Sequence, residues 1–359
     1  MITEKLTDRF RCVAEPALVV CIAWLNVSCM APSVRTPETV NAKPPLIRGI
    51  YTADPSAHVF DGKLYIYPSH DRDDAPPSRG DDASFNMVDY HVFSMAAVDG
   101  PVTDHGVILH ADDVPWATGQ MWAPDAACVN DKCYFYFPAK DEHDIFRIGV
   151  AVGDGPTGPF TPEPNPIEGS YSIDPAVFID DDGQAYMYFG GLWGGGLERW
   201  TGGRYNPNAK EPFSDSPAIA PRVAKMSRDM ISFAEPPKEI EIKTSEGREL
   251  KARSSRRFFE AAWMHKYKDN YYLSYSTGNF HEIVYAMGKS PTGPFTFVDT
   301  LLTPVIGWTT HHSIVELNGK WYLFYHDASL SKGRDNQRCV KVAPLEYNED
   351  GTIKRIRPE

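Results

Sequence analysis

Residues 172–191 read SIDPAVFIDDDGQAYMYFGG: an acidic residue, Asp174, then Pro175, a short apolar run, a turn of Asp and Gly at 180–183, and a second apolar run rich in aromatics at 185–189. Short apolar runs bounded by Asp and Gly read as strands, and two of them joined by a tight turn read as a hairpin. The same pattern recurs four more times. It appears as ADPSAHVFDGKLYIYPSHD (53–71), WAPDAACVNDKCYFYFPAK (122–140), FEAAWMHKYKDNYYLSYST (259–277) and THHSIVELNGKWYLFYHD (310–327). Five hairpins, each with a polar residue at its entrance, predict an all-β, five-bladed β-propeller.

A propeller blade needs four strands and about 40–50 residues. The steps from Asp125 to Asp174 and from Glu260 to His311 fit a bare blade, and the other two carry insertions. A second repeated device supports the period: Pro-Thr-Gly-Pro-Phe follows an outer strand at 156–160 and again at 291–295. The insertion at 201–258, with its alternating charges in KEIEIKTSEGRELKARSSRR, is predicted to be an exposed hairpin or loop completing blade three. The polar loop at 70–89, with Asp71, Asp73, Asp74, Asp81 and Asp82, reads first as a solvated loop, with a substrate-side role as the alternative. Residues 46–52 are expected to pair with the end of the chain and close the ring, removing a free sheet edge.

The first strand of every blade runs beside the axis, so the leading positions Asp54, Asp125, Asp174, Glu260 and His311 converge on one end of the central channel. Four of the five are carboxylates. Like charges gathered in a narrow mouth repel one another, so the arrangement asks for a chemical purpose.

Composition narrows that purpose. The 359 residues carry a formal net charge of −12, which argues against nucleic acid or an anionic membrane as partner. Aromatics at 12% suit both strands and sugar-stacking surfaces. No apolar run reaches the 18 or so residues needed to span a bilayer. Residues 1–31, with Lys5, Arg9 and Arg11 before an apolar stretch, read as a secretory leader, and 32–45 as a Pro- and Thr-rich linker, leaving 46–359 as the propeller. The expected location is extracytoplasmic, periplasmic or secreted. Cys29 is the position a lipid anchor would use, although Asn26 stands where such signals carry an aliphatic residue. Cys128 and Cys133 flank a two-residue turn, Asn130-Asp131, and read equally as a disulfide or as two buried thiols. No cysteine pair has the spacing to histidine of a structural zinc site.

Several carboxylates in one pocket suggest glycoside hydrolysis, in which one activates water, one delivers a proton to the leaving oxygen, and a third tunes the acid. The longer side chain favours Glu260 as the acid. The residue pattern alone leaves base and modulator open among Asp54, Asp125 and Asp174.

Five motifs, one per blade, go further: Ala53-Asp54-Pro55-Ser56, Trp122-Ala123-Pro124-Asp125, Ser172-Ile173-Asp174-Pro175, Phe259-Glu260-Ala261 and His311-His312-Ser313. From Pro44 onward the chain resembles glycoside hydrolase family 43, inverting five-bladed propeller enzymes acting on xylan and arabinan side chains. The resemblance implies Asp54 as general base, Asp174 as pKa modulator and Glu260 as general acid, with Asp125 in support. It implies that Arg338 reaches the sugar hydroxyls and that Trp122 forms a stacking wall; the alternatives are a surface salt bridge and packing between blades. It also implies a calcium or sodium ion in the axial channel near His311, with no cofactor required for the chemistry. The expected substrate is a xylo-oligosaccharide or arabinoxylan, cleaved by an exo-acting β-xylosidase. An α-L-arabinofuranosidase, or one enzyme with both activities, is the alternative, and a non-catalytic carbohydrate-binding propeller is the rival class. Retaining fructosidase-like propellers fit less well, because Ile173 stands where they carry Arg. Oligomeric state is open.

Overall fold

The computed structural model describes residues 44–79, 82–278 and 282–358. The leader at 1–31 and the linker up to residue 43 lie outside the described residues, as does Asp81 of the acidic loop. Blade one is β1 (Tyr51–Phe60), β2 (Lys63–Asp71), β3 (Asp89–Met95) and β4 (Thr103–His110), paired in that order. Blade two is β5 (Asp125–Val129), β6 (Lys132–Lys140), β7 (Phe146–Gly153) and the short β8 (Thr161–Pro162). Blade three begins with β9 (Ala176–Ile179) and β10 (Ala185–Phe189); a small hairpin, β11 (Trp200–Thr201) and β12 (Arg204–Tyr205), precedes its outer strands β13 (Arg222–Lys225) and β14 (Lys238–Glu239).

The charged insertion then departs from the expectation of a simple hairpin on blade three. Its next piece, β15 (Ile242–Lys243), pairs in parallel with the outer strand of blade four. Ile240 and Ile242 are buried, so this stretch alternates inward and outward as it crosses between blades and covers an edge on each. Blade four itself is β16 (Phe258–Tyr267), β17 (Asn270–Thr277), β18 (Glu282–Gly288) and β19 (Phe295–Leu302). Blade five has β20 (His312–Leu317), β21 (Lys320–Asp327) and β22 (Cys339–Leu345). Its fourth side is supplied by the start of the described chain: Leu46 N–H donates to Val340 O at 2.8 Å, and Thr52 N–H to Arg338 O at 3.0 Å. The ring is closed as the sequence predicts.

The hairpins turn where their residues permit it. Asp61-Gly62, Asn130-Asp131 and Asn318-Gly319 all have positive φ at both positions, the conformation whose twist matches the flanking strands. Cys128 and Cys133 are a cross-strand pair with Cα atoms 4.0 Å apart, and they are joined as a disulfide.

The core lies between blades. Tyr67, Tyr90, Phe135 and Phe137 fill the gap between blades one and two, and Tyr272, Tyr285, Leu323 and Tyr325 that between four and five. Each fully buried large apolar side chain is worth about 1.5–3 kcal/mol relative to exposure. The buried tyrosines place their hydroxyls on backbone oxygens of other segments: Tyr67 on Pro156 O at 2.6 Å, Tyr188 on Pro291 O at 2.7 Å and Tyr272 on Gly351 O at 2.6 Å. The aromatic second strands thus both pack the blades and tie down distant turns.

Candidate active site

The carboxylates stand where the innermost strands are irregular. Pairing of β1 with β2 slips between Ala53 and Ser56, and Asp54 in that slip has φ 49°. Asp174, just ahead of β9, has φ 59°. In β16 the register slips on both sides of Glu260, and Ala261 has φ 61°. A bulge re-aims a side chain, and left-handed backbone at a non-glycine residue persists only where its surroundings impose it. Here they do so by hydrogen bonds: Asp54 N–H donates to His326 Nδ1 at 2.9 Å, and Ala261 N–H donates to Asp174 Oδ2 at 2.9 Å.

The result is one cavity of about 420 Å³, lined by Asp54, Asp174, Glu260, His311, Arg338 and Trp122 among others. Asp125 is set apart. Wholly buried, it accepts hydrogen bonds from the Ser56 hydroxyl and the Val177 N–H, with His58 Nε2 2.6 Å away. It ties together the inner strands of blades one, two and three.

The electrostatics give the three cavity carboxylates different characters. Burial would raise the pKa of Asp54, but the Arg338 guanidinium, with Nη1 3.1 Å from Oδ1, and the adjacent His326 hold it well below the usual carboxylate range. Ser69 Oγ donates to its other oxygen at 2.7 Å. Glu260 is pushed up to about 8 by burial and by the charge of Asp54. Asp174 is also raised, by burial and then by the charges of Glu260 and Asp54. Two buried carboxyls this strongly linked do not both ionise at little cost. The Ala261 N–H opposes the rise at Asp174 without cancelling it, so both carboxyls are drawn towards the protonated form. The site therefore holds a charged carboxylate on blade one and a protonated acid on blade four.

Arg338 is not a surface residue. It is buried, with Nε and Nη2 on the two oxygens of Asp71 at 2.9 and 2.7 Å, Nη1 on Asp54, and its guanidinium over the Phe85 ring. Most of its donors are committed to protein carboxylates, so its first effect is on Asp54, and it also lines the cavity. Asp71, read from sequence as part of a solvated loop, is the last residue of β2 and is 1% exposed. Trp122 lines the cavity while packing on Phe146 at 4.6 Å, its indole N–H fixed on Phe85 O at 2.7 Å.

Sequence reasoning missed Asp71, His326 and an aromatic wall. Trp193 and Trp308 stack with ring centres 6.2 Å apart, and Phe259, next to Glu260, stands edge-on to both. Both tryptophans are more than two-fifths exposed, yet Trp193 is firmly set: φ is 56°, its N–H donates to Glu198 and its indole N–H to Glu211. The glycine run at 190–196 serves packing behind this wall, since a Cβ on Gly191 or Gly195 would come within 2.6 Å of Ile173. A usable signal existed for the first two residues. Blades one and five both end their second strand in His-Asp, at 70–71 and 326–327.

His311 Nδ1 lies 3.7 Å from Asp54 Oδ1 and 3.8 Å from Asp174 Oδ2. Burial pushes its pKa down to about 4, so the imidazole is neutral and has a lone pair to offer. Calcium takes six to eight oxygen ligands. This donor set fits such a cation only with His311 as a single protein ligand and water supplying most of the rest.

The description "Glycosyl hydrolases family 43" matches residues 43–353. The chain belongs to glycosyl hydrolase family 43. It is similar to a xylosidase/arabinosidase of Humicola insolens, 58% identical over 88% of this chain and 99% of the relative. It is also similar to a β-xylosidase of Xylanibacter ruminicola, 48% identical over 86% and 97%. Among solved structures, a family 43 β-xylosidase/α-arabinofuranosidase from a compost microbial metagenome, in complex with xylotriose and in calcium-free form, superposes with a TM-score of 0.85. It is 62% identical, over 88% of this chain and 97% of that one. A family 43 enzyme of Xanthomonas citri complexed with xylotriose gives the same TM-score at 54% identity over 88% and 94%. This family 43 member is thus a glycoside hydrolase with a five-bladed propeller.

Proposed function

We propose that the enzyme is an inverting, exo-acting β-xylosidase that releases terminal xylose from xylo-oligosaccharides and also accepts terminal α-L-arabinofuranose. The observation that carries this reading is one bounded cavity, beside exposed tryptophans, in which Asp54 is paired with the Arg338 guanidinium while Glu260 is buried with no such partner to hold its pKa down. Asp54, ionised, takes a proton from water as the water oxygen bonds to the anomeric carbon. Glu260 gives its proton to the glycosidic oxygen as that bond breaks, and the sugar leaves with inverted configuration. Asp174 accepts the N–H of Ala261, the residue after Glu260, and is assigned to orienting the acid, whose proton is retained by burial and by the charge of Asp54. Groups next to the acid face the leaving group, which assigns the Phe259, Trp193 and Trp308 wall to the next sugar of the chain. Names and ligands of the relatives support a xylose-based substrate. An axial calcium or sodium ion, held by His311, would add positive charge near Asp54 and Asp174; no step above is routed through it.

The test is turnover of aryl β-xyloside and aryl α-L-arabinofuranoside by the same preparation, with the product anomer followed by NMR. Dominant xyloside cleavage releasing α-xylose is expected. Release of β-xylose, or no turnover on either substrate, overturns the proposal.

The pH dependence follows from the two carboxyls. The acid must be protonated, so kcat/KM is expected to fall as pH rises through the pKa of Glu260, about 8. The base must be ionised, and because Asp54 is held well below the ordinary range, the acid limb is displaced downward. A broad plateau with its alkaline edge near 8 is expected; an alkaline limb below 6 removes Glu260 as the acid in this environment.

A further inference from the structure

Blade one carries a second set of ligand-type side chains that hydrolysis does not use. Asp89 and His91 lie two residues apart on β3, hence on one face of the sheet. On one side the register opposes Ser69 of β2 to Tyr90, which brings His70 beside Asp89. On the other, His110 of β4 opposes Asp89. His70 Nδ1 lies 2.5 Å from Asp89 Oδ1, and the His70 and His91 rings meet edge to face at 5.0 Å. One ligand atom from each of His70, Asp89 and His91 lies within 4.8 Å of the other two. Their side chains are 19%, 16% and 14% exposed, which leaves a path for a small ion.

A further contact gives the cluster the form of a metal site. Asp104 of β4 approaches His91 Nδ1 at 3.0 Å. A carboxylate only accepts, so the proton of His91 sits on Nδ1 and the lone pair on Nε2. Metal-binding histidines are commonly oriented this way, by a carboxylate on the nitrogen that does not bind.

We propose that His70, Asp89 and His91 form a binding site for a zinc-class divalent ion on blade one, with Asp104 orienting His91. Two imidazoles and one carboxylate suit zinc, and water completes a tetrahedral sphere. The same set is too poor in oxygen for calcium. On binding, the proton shared by His70 and Asp89 leaves to solvent, and the metal takes the nitrogen and oxygen lone pairs that held it. His70 also sits between Ser69, bonded to Asp54, and Asp71, bonded to Arg338. An ion there braces the strand that holds the base.

The experiment is calorimetric titration of the full, tag-free, EDTA-treated and dialysed chain with zinc chloride. One ion per chain is expected in the parent. Asp104→Asn is expected to weaken binding about 10–100-fold, and His91→Ala to weaken it further. His143→Ala, at an exposed histidine elsewhere, is expected to leave binding unchanged. Xyloside turnover confirms that each variant is folded. Absence of stoichiometric binding, or His91→Ala binding as tightly as the parent, overturns the proposal. Cobalt substituted into the parent gives a reading independent of any variant: intense four-coordinate absorption is expected, and the weak spectrum of six-coordinate cobalt counts against the site.

Discussion

Asp54→Asn is expected to lower kcat on xylobiose by about 10²–10⁴-fold, towards the upper end of the range that acid–base catalysis supplies. The substitution keeps the shape of the side chain and the backbone contact to His326; with the amide oxygen turned to Arg338, the amide NH2 faces Ser69, whose hydroxyl rotates to accept from it. What disappears is the negative charge that accepts the proton of water. Arg338 keeps its two bonds to Asp71 and is not left as an unpaired buried cation. Thermal unfolding is therefore expected to change little, and a binding assay with xylotriose should show affinity near the parent's. Turnover within tenfold of the parent would remove Asp54 from the role of base.

Glu260→Gln is expected to show a loss that depends on the leaving group. On xylobiose, whose leaving alcohol needs a proton, kcat should drop by about 10²–10⁴-fold. On an aryl xyloside with an acidic phenol, which departs as an anion, the drop should be far smaller. Loss of the Glu260 proton as the titrating step should also flatten the alkaline limb of the pH profile, since that limb belongs to a carboxyl held at about 8. Equal losses on both substrates would mean that Glu260 holds the sugar and does not protonate it.

The sequence makes the ring and its leading residues readable because a propeller repeats one solution. Each hairpin announces itself by apolar and aromatic strands around a short turn containing Asp or Asn, and the leading residue, a carboxylate in four copies and His311 in the fifth, occupies the same place in each. It also shows where the ring closes, since residues 46–52, with Leu46, Ile47, Ile50 and Tyr51, precede the first copy. What escapes the reading is whatever depends on contacts between blades. Asp71 sits in a stretch crowded with acids, and only the fold shows that it faces a buried guanidinium from 267 residues away. Trp193 and Trp308 belong to loops with no repeat partner, so no periodicity points to them. The charged insertion is ambiguous for a related reason: short edge strands such as β14 and β15 are set by the sheets they cover, and two residues have too little pattern to show which sheet that is.

The hydrogen bonds from Leu46 and Thr52 to blade five bear on when the enzyme becomes competent during synthesis. Asp54 is among the first residues of the propeller to leave the ribosome, whereas Arg338 and His326, which set its charge and backbone, are among the last. A nascent chain with four blades finished already carries Asp54, Asp174 and Glu260 but has no guanidinium to keep the base ionised. Catalytic competence is thus withheld until the final blade meets the first, and hydrolysis itself becomes a reporter that the circle is complete.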